Sequence, residues 1–117
     1  MKIKDILQHK GSDVVSLVPT TNAAQAALIL SQQSIGAAVV VDSEKNVMGV
    51  LSERDIARGL GAHGAKVAEK SVGDLMTDDV VTCDLDWNAS AALEIMLAHN
   101  IRHLPVLDND GKVYGIV

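Results

Sequence analysis

The sequence predicts an α+β fold made of two pseudo-symmetric β-α-β-β-α units, the second stopping before its last helix. Two observations predict it. The stretch "SIGAAVVVDSEKNVMGVL" (Ser34 to Leu51) aligns without a gap on "NIRHLPVLDNDGKVYGIV" (Asn100 to Val117). Ile35 falls on Ile101, Val40 on Val106, Asp42 on Asp108 and Gly49 on Gly115, a constant offset of 66 (108 minus 42). The register runs backward as well, with Asp13, Val14 and Val15 on Asp79, Val80 and Val81, and Asn22 and Ala23 on Asn88 and Ala89. Within each copy, short β-branched runs alternate with a segment of 3.6-residue apolar period, in the order strand, helix, strand, strand.

At the N-terminus "KIKDIL" (Lys2 to Leu7) reads as a short lead-in helix, and "SVGDLM" (Ser71 to Met76) repeats it ahead of the second copy. Val14 to Val18 and Val80 to Cys83 are short β-branched runs that read as strands. Asn22 and Asn88 stand as N-caps of the helices that follow. The apolar faces expected to be buried are Ala23, Ala26, Ala27 and Leu30 in the first copy, and Ala89, Ala92, Leu93, Met96 and Leu97 in the second. Next, Ala38 to Val41 and Leu104 to Leu107 are strands. Each is closed by a polar turn, "DSEKN" or "DNDGK", before Val47 to Leu51 or Val113 to Val117, so each pair reads as a hairpin.

After Leu51 the first copy continues as "SERDIARGL", a helix capped by Ser52 with Ile56 and Leu60 on one face. The second copy reaches Val117 without that element, and the chain reads as stopping short of it. "GAHGAKVAEK" (Gly61 to Lys70) reads as the internal linker. Residues 1–70 are then the first unit with its lead-in helix and linker, and 71–117 the second. A half of that size buries too little surface to be stable alone, so the two copies are expected to share one core.

Composition limits the functions available. With 117 residues, 48% hydrophobic and 21% charged, the chain has the balance of a soluble globular protein. No apolar stretch nears the roughly 20 residues of a membrane span, and "MKIKDILQHKG" lacks the apolar centre of a signal peptide, so the expected address is cytoplasmic. A single cysteine, Cys83, excludes an intramolecular disulfide, and no Cys/His set has the spacing of a zinc site. A net charge of −5 and 2% aromatic residues argue against nucleic acid, since there is no basic stripe and only Trp87 and Tyr114 could stack a base.

In "GVLSERD", Ser52 and Asp55 lie three apart at a strand-to-helix junction. The spacing fits a capping box with Asp at the third helical position. It also fits a binding site. A helix N-terminus with unpaired N–H groups can receive a phosphate beside the Ser52 hydroxyl, and the Asp55 carboxylate can accept both hydroxyls of a ribose. Arg102 and His103, at the entrance to an apolar strand, either are solvated and satisfy the last helix carbonyls or bind an anion, Arg102 bidentately and His103 when protonated. The first copy has Gly36 and Ala37 at these positions, so the fold of the unit does not require the basic pair, which favours the anion.

The remaining features read as structural. His99 and His103 are four apart, but the helix is expected to end between them, which removes a shared metal face. Cys83 reads as a small buried hydrophobe, and "GLGAHGA" lacks the Lys-Ser/Thr ending of a phosphate loop. Trp87 reads as a staple or an interface residue. No acid and base pair stands out, and the chain is not expected to be an enzyme.

Taken together, the repeat, "GVLSERD" and "NIRHLPVLDNDGKVYGIV" resemble a tandem pair of cystathionine-β-synthase (CBS) domains, the Bateman module, over essentially the whole chain. The resemblance implies units packed through their sheets, adenosine-type nucleotides bound in the clefts between them, a regulatory role and a homodimer. It implies that Asp55 is the ribose-binding carboxylate and Ser52 the hydroxyl of a Gly-x-x-Ser/Thr-x-x-Asp pattern, with Val50 and Arg54 lining the same pocket. Val81 and Thr82 would face the base, and Arg102 and His103 would approach the phosphates. The second pseudo-symmetric site would use Val15, Gly36 and Ala37, and is expected to be weak or to take a less phosphorylated ligand. The expected function is a regulatory module sensing an adenine nucleotide (AMP, ADP, ATP or NAD-like), with no cofactor required. The alternatives are the regulatory segment of a larger enzyme, IMP-dehydrogenase-like or a kinase, and a structural dimerisation module without ligand.

Overall fold

The β-branched runs and the apolar helical faces fold in the order that the repeat dictates. The computed structural model describes residues 1–10 and 14–117; Asp13, matched to Asp79 in the repeat, lies outside them. Helix α1 (Ile3–Lys10) leads into β1 (Ser16–Leu17), α2 (Ala23–Gln32), β2 (Ala37–Val41), β3 (Val47–Ser52) and α3 (Glu53–His63). A 3-10 segment (Gly64–Glu69) and α4 (Val72–Leu75) then lead into β4 (Cys83–Asp84), α5 (Ala89–His99), β5 (Pro105–Leu107) and β6 (Val113–Ile116).

Two sheets result, β1-β2-β3 and β4-β5-β6, each with its first two strands parallel and the last two an antiparallel hairpin. Both hairpins bulge at the same place. The register shifts between Val40 and Val41 in one and between Val106 and Leu107 in the other, leaving Met48 and Tyr114 as the extra, exposed residues. The turns match too. Asp42 Oδ1 accepts the N–H groups of Glu44 and Asn46, both at 2.9 Å, and Asp108 Oδ1 accepts those of Asp110 and Lys112 at 2.9 and 3.0 Å.

The lead-in helices dock crosswise. Ile3 N–H donates to the Trp87 carbonyl (2.9 Å), Lys4 N–H to Leu85 (3.1 Å) and Ala89 N–H to Met1 (2.8 Å). The matching set in the other half is Val72 to Thr21 (2.7 Å), Gly73 to Pro19 (2.9 Å) and Ala23 to Lys70 (2.8 Å). Each lead-in therefore attaches to the copy that it does not precede in sequence. As a result the compact units are Val15–Val80, and Met1–Val14 with Val81–Val117, which differ from the repeat boundaries at 1–70 and 71–117.

Burial follows the same exchange. In one unit Val72 of α4 joins Leu17, Ala26, Leu30, Ala38, Val40 and Leu51; in the other, Ile3 and Leu7 of α1 join Cys83, Ala92, Leu104 and Val106. The described residues thus carry two buried clusters, one in each unit. Each copy gains the apolar surface it lacks from the other copy's lead-in.

Other elements depart from expectation for local reasons. The first strand of each copy pairs over only two residues, because only Ser16–Leu17 and Cys83–Asp84 find partners, on β2 and β5 respectively. Gly61 to Lys70 is no open linker. Helix α3 runs on to His63 and ends at Gly64, whose left-handed φ of 61° suits glycine, and the 3-10 segment folds back so that Val67 packs against Gly59. Asn22 caps α2 by accepting from Gln25 N–H at 2.8 Å, whereas Asn88, in the same position of α5, makes no side-chain cap bond. On α5 the inner face is Ala92 with Ile95 and Met96, while Leu93 and Leu97 are 56% and 73% exposed. The stretch "ASAALEIMLAH" is apolar on nearly every side, so its period alone does not choose which face turns inward.

Cys83 is a small buried hydrophobe on β4, as its surroundings in the sequence suggest. Burial, with a smaller contribution from the Asp84 carboxylate, pushes its thiol from the ordinary 9.0 up to about 11. The folded state therefore keeps a proton that the unfolded chain releases above about pH 9, and stability falls as pH rises from there through about 11. In melts across that window, Cys83→Val should lose less of its melting temperature than the parent. Parallel curves for the two would refute the assignment.

Candidate functional site

Strand β3 ends at the sheet edge where Ser52 stands opposite Ala37 in the pairing with β2. There Glu53 N–H donates to the Gly36 carbonyl at 3.0 Å, and the chain turns into α3. The capping box forms around this turn. Asp55 N–H donates to Ser52 Oγ (3.2 Å), and Asp55 Oδ2 accepts both the Ser52 N–H (2.9 Å) and the Ser52 hydroxyl (3.0 Å). Oδ1 accepts the Thr77 hydroxyl at 3.0 Å, and Arg58 Nη1 stands 3.9 Å away. Asp55 is 7% exposed and is the buried charged side chain of the described residues. A buried carboxylate without donors would be costly; this one has three.

Thr77 is the residue that the sequence did not point to. It lies 22 positions beyond Asp55 and reaches it because its backbone pairs with β3, Val50 N–H to the Thr77 carbonyl and Thr77 N–H to the Val50 carbonyl, both at 3.0 Å. The repeat contained one hint, the "SVGDLM" lead-in that ends at Met76, immediately before it. Arg58, one turn along α3 from Asp55, is a second neighbour that the sequence pattern does not single out.

Of the residues expected at a site, Val50, Ser52, Arg54 and Asp55 come together at this junction in the unit Val15–Val80. Val81, Thr82, Arg102 and His103 belong to the other unit. Val81 and Thr82 lead into β4, and Arg102 and His103 into β5; the two strands run parallel with Cys83 opposite Val106, so all four residues sit at one end of one sheet. His99 closes α5 and His103 follows it in an irregular segment. Among the described residues no group of three or more His, Cys, Asp or Glu side chains could hold a metal ion, and no helix is long and apolar enough to cross a membrane.

The duplicated β-α-β-β order and this junction have close counterparts. The family model described as CBS domain matches residues 3–62 and again residues 72–117. The chain belongs to the CBS domain family. Two matches in tandem make it a CBS pair, the Bateman module. The CBS pair superposes on a CBS-domain containing protein from Agrobacterium tumefaciens with a TM-score of 0.95 at 37% identity, covering 100% of this chain and 92% of that one. A CBS domain pair solved in complex with 5-methylthioadenosine and S-adenosyl-L-methionine gives a TM-score of 0.89 at 27% identity, with 100% and 88% covered. A CBS domain protein from Pyrobaculum aerophilum complexed with AMP gives 0.89 at 25%, with 100% and 86% covered. A 17.7 kDa protein of Acidianus ambivalens is 37% identical over 112 residues, 96% of the CBS pair, which spans 66% of that relative's length.

Proposed function

We propose that this CBS pair is a regulatory module that senses an adenine nucleotide, AMP, ADP, ATP or an NAD-like dinucleotide, and that Asp55 receives the ribose. The observation that carries the reading is the Asp55 carboxylate itself, a buried charge at the head of an 11-residue helix, placed by donors from two different segments. Relatives solved with 5-methylthioadenosine, S-adenosyl-L-methionine and AMP support it, because those ligands have adenosine in common while only AMP carries a phosphate. A ribose diol offers two O–H donors, and a carboxylate is the side chain that only accepts.

In this reading Val50, Ser52 and Arg54 line the ribose end, Val81 and Thr82 meet the base, and Arg102 and His103 take phosphate oxygens. Gly36 and Ala37, the first-copy equivalents of the basic pair, bring no charge, so the pseudo-symmetric position binds weakly or takes a less phosphorylated ligand. The module acts in the cytoplasm as a homodimer. It regulates through a ligand that favours one of its arrangements over another.

Calorimetry with AMP, ATP and NAD tests the reading. Asp55→Ala should bind the preferred nucleotide about 10- to 100-fold more weakly, since a charge-assisted hydrogen bond contributes roughly 1.5–3 kcal/mol. Asp55→Asn, which keeps an acceptor for the cap, guards against a loss that comes only from unfolding. Equal affinity of parent and variants would remove the site from Asp55. No heat with any of the three would remove nucleotide sensing and leave a structural dimerisation module.

A further inference from the structure

We propose that Thr77 is a positioning residue for the ribose-binding carboxylate and sets how strongly the module distinguishes a ribose diol from a sugar without one. This rests on Asp55 receiving the ribose. Each carboxylate oxygen has about two acceptor positions. On Oδ2 both are filled, by the Ser52 N–H at 2.9 Å and the Ser52 hydroxyl at 3.0 Å. On Oδ1 the Thr77 hydroxyl fills one at 3.0 Å, and Arg58 Nη1, at 3.9 Å on a mostly exposed side chain, is too distant to hydrogen-bond. One position on Oδ1 is open, so a first ribose hydroxyl can be accepted as the carboxylate stands. A second requires the Ser52 hydroxyl to turn away from Oδ2.

The Thr77 hydroxyl is presented by fixed backbone. Its residue is held to β3 by reciprocal bonds with Val50, both 3.0 Å, and the preceding Met76 lies on Gly49, where an added Cβ would meet Met76 Sδ and the Thr77 carbonyl at 2.7 Å. Ser52 grips Oδ2 from the helix start, and Thr77 grips Oδ1 from a segment 22 residues away. Between them the plane of the carboxylate is fixed, and the open position on Oδ1 has one direction. Without Thr77 the carboxylate still accepts from Ser52 but can turn about that side, so it no longer meets the diol pre-aligned. Thr77 is itself exposed, so a methyl in place of its hydroxyl meets solvent on its own side, while Asp55 Oδ1 loses its hydrogen bond and keeps only the more distant Arg58.

The test compares AMP with its analogue lacking both ribose hydroxyls, by calorimetry on the whole chain. Thr77→Val should weaken AMP about 3- to 10-fold, the range of one hydrogen bond, while changing the affinity for the dideoxy analogue less than about 2-fold. Thr77→Ser, which keeps the hydroxyl, should restore the discrimination. If Thr77→Val weakens both ligands alike, or neither, while Asp55→Asn abolishes the discrimination, the proposal for Thr77 fails and the ribose reading of Asp55 stands. Discrimination that survives Asp55→Asn, or no binding of AMP at all, overturns both. Should Thr77→Val fail to fold, Thr77→Ala is read against the same two ligands and the same limits.

Discussion

Leu104→Ala is expected to lower stability by about 2–5 kcal/mol, the range for removing a fully buried leucine. Leu104 is 0% exposed and packs in the cluster that contains Ile3, Leu7, Cys83, Ala92 and Val106. Its backbone is tied on both sides to Val117, N–H to carbonyl at 2.8 Å and carbonyl to N–H at 3.0 Å, so the substitution removes side-chain contacts and leaves the strand pairing in place. Against a total of about 5–15 kcal/mol for a domain, that is a large fraction. Trp87, the chain's single tryptophan, is partly buried against the same cluster and reports its melting directly. Urea titration followed by tryptophan fluorescence should show a lower midpoint with an unchanged slope. An unmoved midpoint would mean that this cluster does not support the unit.

Gly49→Ala should cost at the upper end of about 1–3 kcal/mol, whereas Gly115→Ala at the equivalent position should cost less than about 1 kcal/mol. The reason is what each new methyl would meet. At Gly49 it would lie 2.7 Å from both Met76 Sδ and the Thr77 carbonyl oxygen. Met76 can swing its side chain, but the carbonyl is backbone and accepts the Val50 N–H, so the bridge beside Asp55 must open. At Gly115 the neighbours are the Leu7 methyls at 3.1 Å, which a small rotation relieves. Thermal melts of the two variants rank them. Equal losses would show that the Thr77 segment yields as easily as a leucine side chain. Because Thr77 donates to Asp55, Gly49→Ala should also weaken AMP, and Gly115→Ala should not.

Periodicity and repetition reveal most of this molecule. The gapless match from Ser34 to Leu51 fixed both hairpins, including the Asp42 and Asp108 turns, and Ser52-x-x-Asp55 fixed the start of α3. What stayed hidden depended on contacts between distant segments. The order of elements cannot say which copy α1 docks on, because Ile3 and Leu7 meet Leu104 and Val106 only through contacts distant in sequence. Nor can an apolar helix such as α5 announce that Leu93 and Leu97 face outward. At the candidate site the cap pair is local and was readable, while Thr77 arrives through a backbone bridge that has no sequence signature.

The crosswise docking of the lead-in helices bears on how this chain can be divided. Cutting between 70 and 71, where the sequence repeats, separates Val72 from Leu17, Ala26 and Leu30 in one piece and Ile3 and Leu7 from Leu104 and Val106 in the other. Both fragments would keep every strand and still lack the helix that closes their interior. A cut near 14 and another near 80 instead releases Val15–Val80 as one continuous stretch with its cluster, its capping box and Thr77 included. The segment to express for isolating the Asp55 junction is thus set by the exchange, and straddles the seam of the repeat.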